Sequence, residues 1–270
     1  MPRTQRFTNI SDLGVLGGDS FLVMKASKST SEKLKGKTAV VTGASRGIGL
    51  AIAQALAAEG CNLVLTARNA KALAQAASKL RSKATRVLAE PCDVRDAPSV
   101  QQLFASVKRE FRTLDILVNN AGIAHPLRNV DELPIEHWND VMATNLTGLF
   151  LCTRAALPLM KPGAAIVNNL SIAARTVFPG MSAYDASKQG ALGFTNTIRE
   201  ELRERKIRVI ALVPGATDTE IWEQFMPEAE RSRMMTAESI ASMLVNALTM
   251  PEEMSVEELR MLPISGTSRS

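Results

Sequence analysis

From residue 37 onward, short apolar runs alternate with longer amphipathic stretches, and this alternation constrains the fold more than any other feature. β-Branched or aliphatic runs fall at 38–42, 62–66, 86–89, 115–119, 164–170 and 207–213, with helical patterns such as 50–59, 70–80, 100–111 and 186–205 between them. Strands buried on both faces read as continuous apolar runs, and parallel strands need crossovers long enough to hold a helix. Six such strands in βαβ order predict an α/β, doubly wound parallel sheet with helices on both faces. A last run at 258–262 offers a seventh strand at one edge. The domain is therefore expected over 36–270, preceded by a flexible extension over 1–35 that lacks helical or strand periodicity. Met24 would make a natural start, and loss of residues 1–23 is expected to leave the fold intact.

The first strand runs directly into Thr42-Gly43-Ala44-Ser45-Arg46-Gly47-Ile48-Gly49 and then into a helix. Glycines let the backbone turn tightly and approach a pyrophosphate, and the helix start offers free N–H groups with partial positive charge. After the first strand of a βαβ series, this turn points to dinucleotide binding. Further along come Asn119-Asn120-Ala121-Gly122, Ser171 after the fifth run, and Tyr184 four residues before Lys188. That i, i+4 spacing puts Tyr184 and Lys188 on one helix face. A phenol ionises near pH 10, and bringing it to neutrality takes about 4 kcal/mol. A cation about 4 Å away supplies a similar amount, so Lys188 is expected to help make Tyr184 an acid/base.

With these segments in this order, residues 37–270 resemble the short-chain dehydrogenase/reductase family, in its TGxxxGxG branch. The resemblance implies that Asn145, Ser171, Tyr184 and Lys188 form the catalytic tetrad, with Asn145 holding water in a proton relay to Lys188. It implies cofactor contacts from Gly43, Ser45, Arg46, Gly47, Ile48 and Gly49, from Asn120 and Gly122, and from Pro214, Gly215 and Thr219. Asp93, beside Val94, resembles the family's adenine contact; a turn cap is the other reading. An acid at the end of the second strand would bind the ribose hydroxyls of NAD, whereas this chain has Thr66-Ala67-Arg68. Arg68 and Arg46 suit a 2′-phosphate, which favours NADP(H) over NAD(H).

The expected activity is an NADP(H)-dependent carbonyl reductase or alcohol dehydrogenase, with a 3-oxoacyl-carrier-protein reductase as the alternative. A non-enzymatic NADP-sensing regulator is the rival from another class, and such proteins commonly lose the Tyr or the Lys. A Ser-His-Asp hydrolase is disfavoured because Ser171 lacks the elbow motif. Residues 221–226 offer either an apolar lid or simple packing, and Phe178 and Met181 are candidate pocket walls. The family suggests a homodimer or homotetramer.

Composition narrows the partners. Seven of the 32 basic and three of the 27 acidic residues fall in 1–37, so four of the five net positive charges sit there rather than on the folded body. A nucleic-acid face needs that charge on the body. No apolar run approaches the ~20 residues that span a bilayer. Three scattered cysteines and two histidines are too few and too dispersed for a zinc site. Sparse cysteine usage is expected of a cytoplasmic protein.

Overall fold

The computed structural model describes residues 33–81, 86–251 and 253–266. Seven strands, β1 (Thr38–Thr42), β2 (Asn62–Thr66), β3 (Val87–Ala89), β4 (Leu114–Asn119), β5 (Met160–Asn169), β6 (Arg208–Pro214) and β7 (Glu258–Met261), form one sheet in the order β3-β2-β1-β4-β5-β6-β7. Every pairing is parallel. The doubly wound sheet is thus as the alternation predicts, and the run at 258–262 does supply its edge. β5 starts earlier than the apolar run suggests. Met160 pairs with Leu114 across a register shift, so exposed Lys161, Pro162 and Gly163 belong to the strand despite their composition.

Among the described residues seven α-helices make the crossovers: α1 (Gly47–Ala58), α2 (Ala70–Leu80), α3 (Ala97–Phe111), α4 (Ile135–Met142), α5 (Gly148–Ala156), α6 (Ser182–Glu201) and α7 (Ala237–Leu248). Helix α6 begins four residues earlier than the pattern indicates and ends at Glu201. Past that point Lys206 adopts a left-handed φ of 53° in the turn to β6, a conformation no helix continues through. One core, under α1, α2 and α7, takes Val41, Leu63, Leu65 and Ile210. The opposite core, under α3, α5 and α6, takes Val40, Val64, Leu117 and Ile166. Adjacent strand residues alternate between the two, which is why the strands read as unbroken apolar runs.

Of the extension expected over 1–35, residues 1–32 lie outside the described residues. Within its last three, Leu34 is buried in the first core and Lys33 Nζ donates to the Thr249 carbonyl at 2.8 Å. The packed body therefore already includes Lys33 and Leu34. A lone leucine without periodic neighbours carries no signal of this in the sequence.

Strand order reverses between β1 and β4, the neighbours from which the chain winds outward in both directions. Their carboxyl ends splay apart there, and ligands of open α/β sheets bind in that crevice.

Candidate active site

The glycine-rich turn leaves β1 at the crevice. Gly43 and Gly47 have φ of 65° and 54°, values at which a Cβ is strained. Gly49 is required for a different reason: a Cβ there would lie 2.3 Å from Asn120 Nδ2 and 2.5 Å from the Gly43 carbonyl oxygen. The Asn120 amide donates to the carbonyls of Thr42 and Gly43, and its Oδ1 accepts from Asn169 Nδ2 at 2.8 Å. The Thr42 hydroxyl accepts from the N–H groups of Asn120 and Ala121, both at 2.9 Å. The Asn119–Gly122 segment is thereby clamped to the turn.

Tyr184 and Lys188 project from the first turns of α6. The Tyr184 side chain and Ser171, just past the end of β5, line the same cavity, and Ser171 Oγ accepts from the Ala173 N–H at 3.2 Å. Lys188 Nζ donates to the Asn169 carbonyl at 3.0 Å and lies 5.6 Å from the centre of the Tyr184 ring. Burial pushes the Tyr184 phenol up to about 12 and lowers the Lys188 ammonium to about 8. In the protein alone, then, desolvation outweighs any help from Lys188, and the neutral phenol is the resting form.

Asn145 lies in a π-helical turn (Ala143–Thr147) between α4 and α5. The widened turn carries its side chain to the backbone of Ile123, where Oδ1 accepts from N–H and Nδ2 donates to C=O, each at 2.9 Å. Nδ2 also donates to Ser187 Oγ at 3.0 Å. Sequence places Asn145 in a helix but gives no sign of the π turn. Such turns recur at functional sites.

A cavity of about 1870 Å³ runs along the carboxyl edge of the sheet. Of the residues predicted for the site, only Gly49 and Asn145 lie behind its wall; the rest line it. Gly43, Ser45, Arg46, Gly47 and Ile48 sit at the glycine-rich turn. Arg68, Asp93 and Val94 lie at one end, Asn120 and Gly122 in the middle, and Ser171, Tyr184 and Lys188 on the far side. Pro214, Gly215 and Thr219 close that side from β6. The Asp93 carboxylate is held by Arg95, through its backbone N–H and its guanidinium at 2.7–3.0 Å. The turn-cap reading of Asp93 is therefore satisfied, while its side still faces the cavity.

Residues 217–235 arch over this cavity. Their ends are pinned by Thr217 beside Met235, with Asp218 N–H donating to the Met235 carbonyl and Met235 N–H to that of Ala216. Trp222 stacks on Phe225 at 4.7 Å and donates to the Thr217 carbonyl. Gln224 Oε1 accepts from the Ala124 N–H at 3.0 Å, a bond across the cleft. The segment thus spans the cleft as well as packing on itself. In Gln224→Leu, removal of that single acceptor is expected to raise KM about 3–10-fold with kcat retained, the worth of one hydrogen bond. Steady-state kinetics across substrate concentration checks this.

Dinucleotide binding fits these residues on geometric grounds. The first backbone bond of α1, Leu50 N–H to the Arg46 carbonyl, leaves the N–H groups of Gly47, Ile48 and Gly49 without a helical acceptor. No acidic residue occupies the first turn, and the cavity passes directly over it. Among the described residues no helix is long and apolar enough to cross a membrane, and no His, Cys, Asp and Glu cluster could hold a metal.

Comparison with known proteins agrees. The family model described as short chain dehydrogenase matches residues 37–230. A 3-oxoacyl-[acyl-carrier-protein] reductase from Synechocystis sp. is 37% identical over 72% of this chain and 80% of its own length. A short chain dehydrogenase from Burkholderia cenocepacia, solved in complex with NADP, superposes with a TM-score of 0.78 at 31% identity, covering 85% of this chain and 98% of that one. A 3-ketoacyl-(acyl-carrier-protein) reductase from Brucella melitensis, complexed with NADH, gives 0.78 at 28% identity over 86% and 98% of the two chains. The sheet order, the glycine turn and the extent of these matches lead to one conclusion: the chain belongs to the short-chain dehydrogenase family.

Proposed function

We propose that this oxidoreductase interconverts a ketone and a secondary alcohol with NADP(H), using Tyr184 as the general acid/base. One observation carries the reading: Tyr184 and Ser171 line the same cavity as the glycine-rich turn, with Lys188 buried beside the Tyr184 ring. When bound, the nicotinamide would supply or accept the hydride. Ser171 donates to the substrate oxygen and stabilises negative charge as it develops. Tyr184, protonated at rest, delivers its proton to that oxygen during reduction and takes it back during oxidation. Lys188, adjacent to Gly122 in the cavity wall, holds the ribose and offsets charge on the phenolate. Asn145 keeps the Ile123 backbone in register beside it. The phosphate turn, with Asn120 and Gly122, would cradle the dinucleotide, and Pro214, Gly215 and Thr219 its nicotinamide end.

The cofactor preference rests on Arg46 and Arg68, both exposed and both lining the end of the cavity where β2 terminates. Each charge-assisted bond to a 2′-phosphate is worth about 1.5–3 kcal/mol. Arg68→Asp is therefore expected to weaken NADPH binding about 10–100-fold and shift preference towards NADH. Titrating both cofactors by nicotinamide fluorescence checks this, and an unchanged ratio removes Arg68 from the assignment. The enzyme assay is NADPH oxidation at 340 nm with a panel of ketones, run in parallel with NADH. Failure to reduce any ketone, despite tight NADPH binding, would favour the cofactor-sensing alternative. A 3-oxoacyl thioester belongs in the panel because two of the similar proteins carry that activity in their names.

A further inference from the structure

The cavity is larger than one ligand requires. Its volume of about 1870 Å³ is almost twice the ~1,000 Å³ at the upper end of single-ligand pockets. Beside Tyr184, one wall is built by Leu127, Val177 and Phe178, which line the cavity and are 38%, 72% and 36% exposed. A contiguous group of exposed apolar side chains marks a binding surface. The wall is tied down through backbone. Phe178 N–H donates at 2.7 Å to Asp185, the residue after Tyr184, and Met181 N–H donates to the Phe178 carbonyl at 3.0 Å. Arg128 N–H donates to the Gly180 carbonyl at 3.0 Å, and a Cβ on Gly180 would lie 3.6 Å from the Leu127 side chain. Segments 127–128 and 177–181 thus make one face next to the helix that carries Tyr184.

The arch presents a second apolar face. Trp222, Phe225 and Met226 line the cavity, with the two rings 4.7 Å apart and Met226 N–H bonded to the Trp222 carbonyl at 2.8 Å. The Gln224 bond to Ala124, three residues before Leu127, ties the two faces together across the cleft. Polar atoms of the arch are spent within the protein. Trp222 Nε1 donates to the Thr217 carbonyl, and the Thr217 hydroxyl to that of Gly215. Arg231 pairs with Asp218 at 3.4 Å and Glu223 at 3.7 Å, and Arg233 with Glu230 at 3.9 Å. Of the other charged lining residues on these segments and β7, Glu220 lies against Gly47 at the glycine-rich turn and Arg260 is exposed on β7. What the two faces offer a ligand is chiefly carbon.

We propose that the cleft takes a ketone bearing a bulky apolar group, seated between Leu127, Val177 and Phe178 on one side and Trp222, Phe225 and Met226 on the other. The proposal rests on Tyr184 and Ser171 as the reacting end. The carbonyl oxygen goes to their hydroxyls, and the substituent leaves water for the gap between the faces. Burying apolar surface is favourable in proportion to the area removed from water. A hydroxylated or charged substituent loses its water there without gaining a partner, so sugar-like and polyol ketones are poor substrates.

In the wild-type enzyme with saturating NADPH, kcat/KM along the 2-alkanones from butanone to decanone is expected to rise about fourfold per methylene until the gap is filled. Dihydroxyacetone is expected to react about 100-fold or more below 2-decanone. A flat or falling series, or a preference for the hydroxylated ketone, overturns the proposal. Val177→Asp charges the exposed wall and is expected to cut the decanone-to-butanone ratio about tenfold; an unchanged ratio overturns the assignment of that wall. Emission from Trp222 gives a readout independent of turnover, isolated by Trp138→Phe because the chain has two tryptophans. In the NADP⁺ complex, added 2-alkanones are expected to shift it, with midpoints that tighten along the series. If no ketone is reduced yet this tightening is seen, the functional assignment fails and the apolar seat stands. If ketones are reduced but chain length improves neither rate nor affinity, the seat fails and the assignment stands. If Trp138→Phe does not fold, the wild-type kinetic series decides.

Discussion

In Tyr184→Phe, turnover is expected to fall by ~10²–10⁴-fold, the range typical of losing a positioned acid/base. The change deletes one oxygen and keeps the ring, so the half-buried side chain still fills its place on α6. The Ser171 hydroxyl keeps its bond from the Ala173 N–H, so stability should change little. NADPH binding is expected to persist because the phosphate turn and both arginines are untouched. Turnover near the wild-type level would remove Tyr184 from the mechanism. Loss of both turnover and NADPH binding would instead make Tyr184 part of the cofactor site. Tyr184 is the only tyrosine, so its ionisation can be followed by ultraviolet difference without ambiguity. From about 12 in the protein alone, the midpoint is expected to drop when oxidised cofactor places a positive charge nearby. A midpoint that stays put would mean that Tyr184 acts only as a neutral donor.

Among the described glycines, Gly49→Ala is expected to be the most damaging added methyl, its Cβ meeting the shortest contacts. A helical alanine is favoured over glycine by about 1 kcal/mol, yet here the added carbon meets Asn120 Nδ2 at 2.3 Å and the Gly43 oxygen at 2.5 Å. Neither can retreat freely: Asn120 is held at both ends of its amide, and Gly43 is in the turn itself. Overpacking of this kind costs about 1–3 kcal/mol, and displaced amide bonds add about 1 kcal/mol each. Tm should fall by several degrees, and NADPH affinity by about tenfold or more, since 1.4 kcal/mol is a factor of ten. Differential scanning fluorimetry with and without NADPH measures both. A wild-type melting curve would show that the turn can yield.

The fold was legible because the strands are buried on both faces. Val40, Val41, Leu63, Val64 and Leu65 announce a parallel strand whichever core they face. The glycine turn was legible because backbone geometry demands its residue types. Contacts that depend on the chain's return from a distance were not. The Asn169 carbonyl that holds Lys188 is a backbone atom, open to any residue type. Gln224 meets Ala124 across a hundred residues of sequence. Residues 119, 153, 168 and 195 form a buried chain, Thr153 and Asn168 each accepting from Asn119, and Asn168 donating to Thr195. In sequence they are four unrelated polar residues. Polar pairing follows tertiary register, and one-dimensional periodicity does not encode it.

The pinned neck of the arch at Thr217 and Met235 has an evolutionary reading. Its two ends are fastened to each other and to the end of β6 by backbone bonds, which are indifferent to side-chain identity. Once the ends are fixed, lengthening a loop costs only about 0.6 kcal/mol per doubling. The stretch between them is therefore an exchangeable cassette. It can be rewritten, shortened or extended to admit a new substrate while the sheet and the cofactor cleft stay as they are.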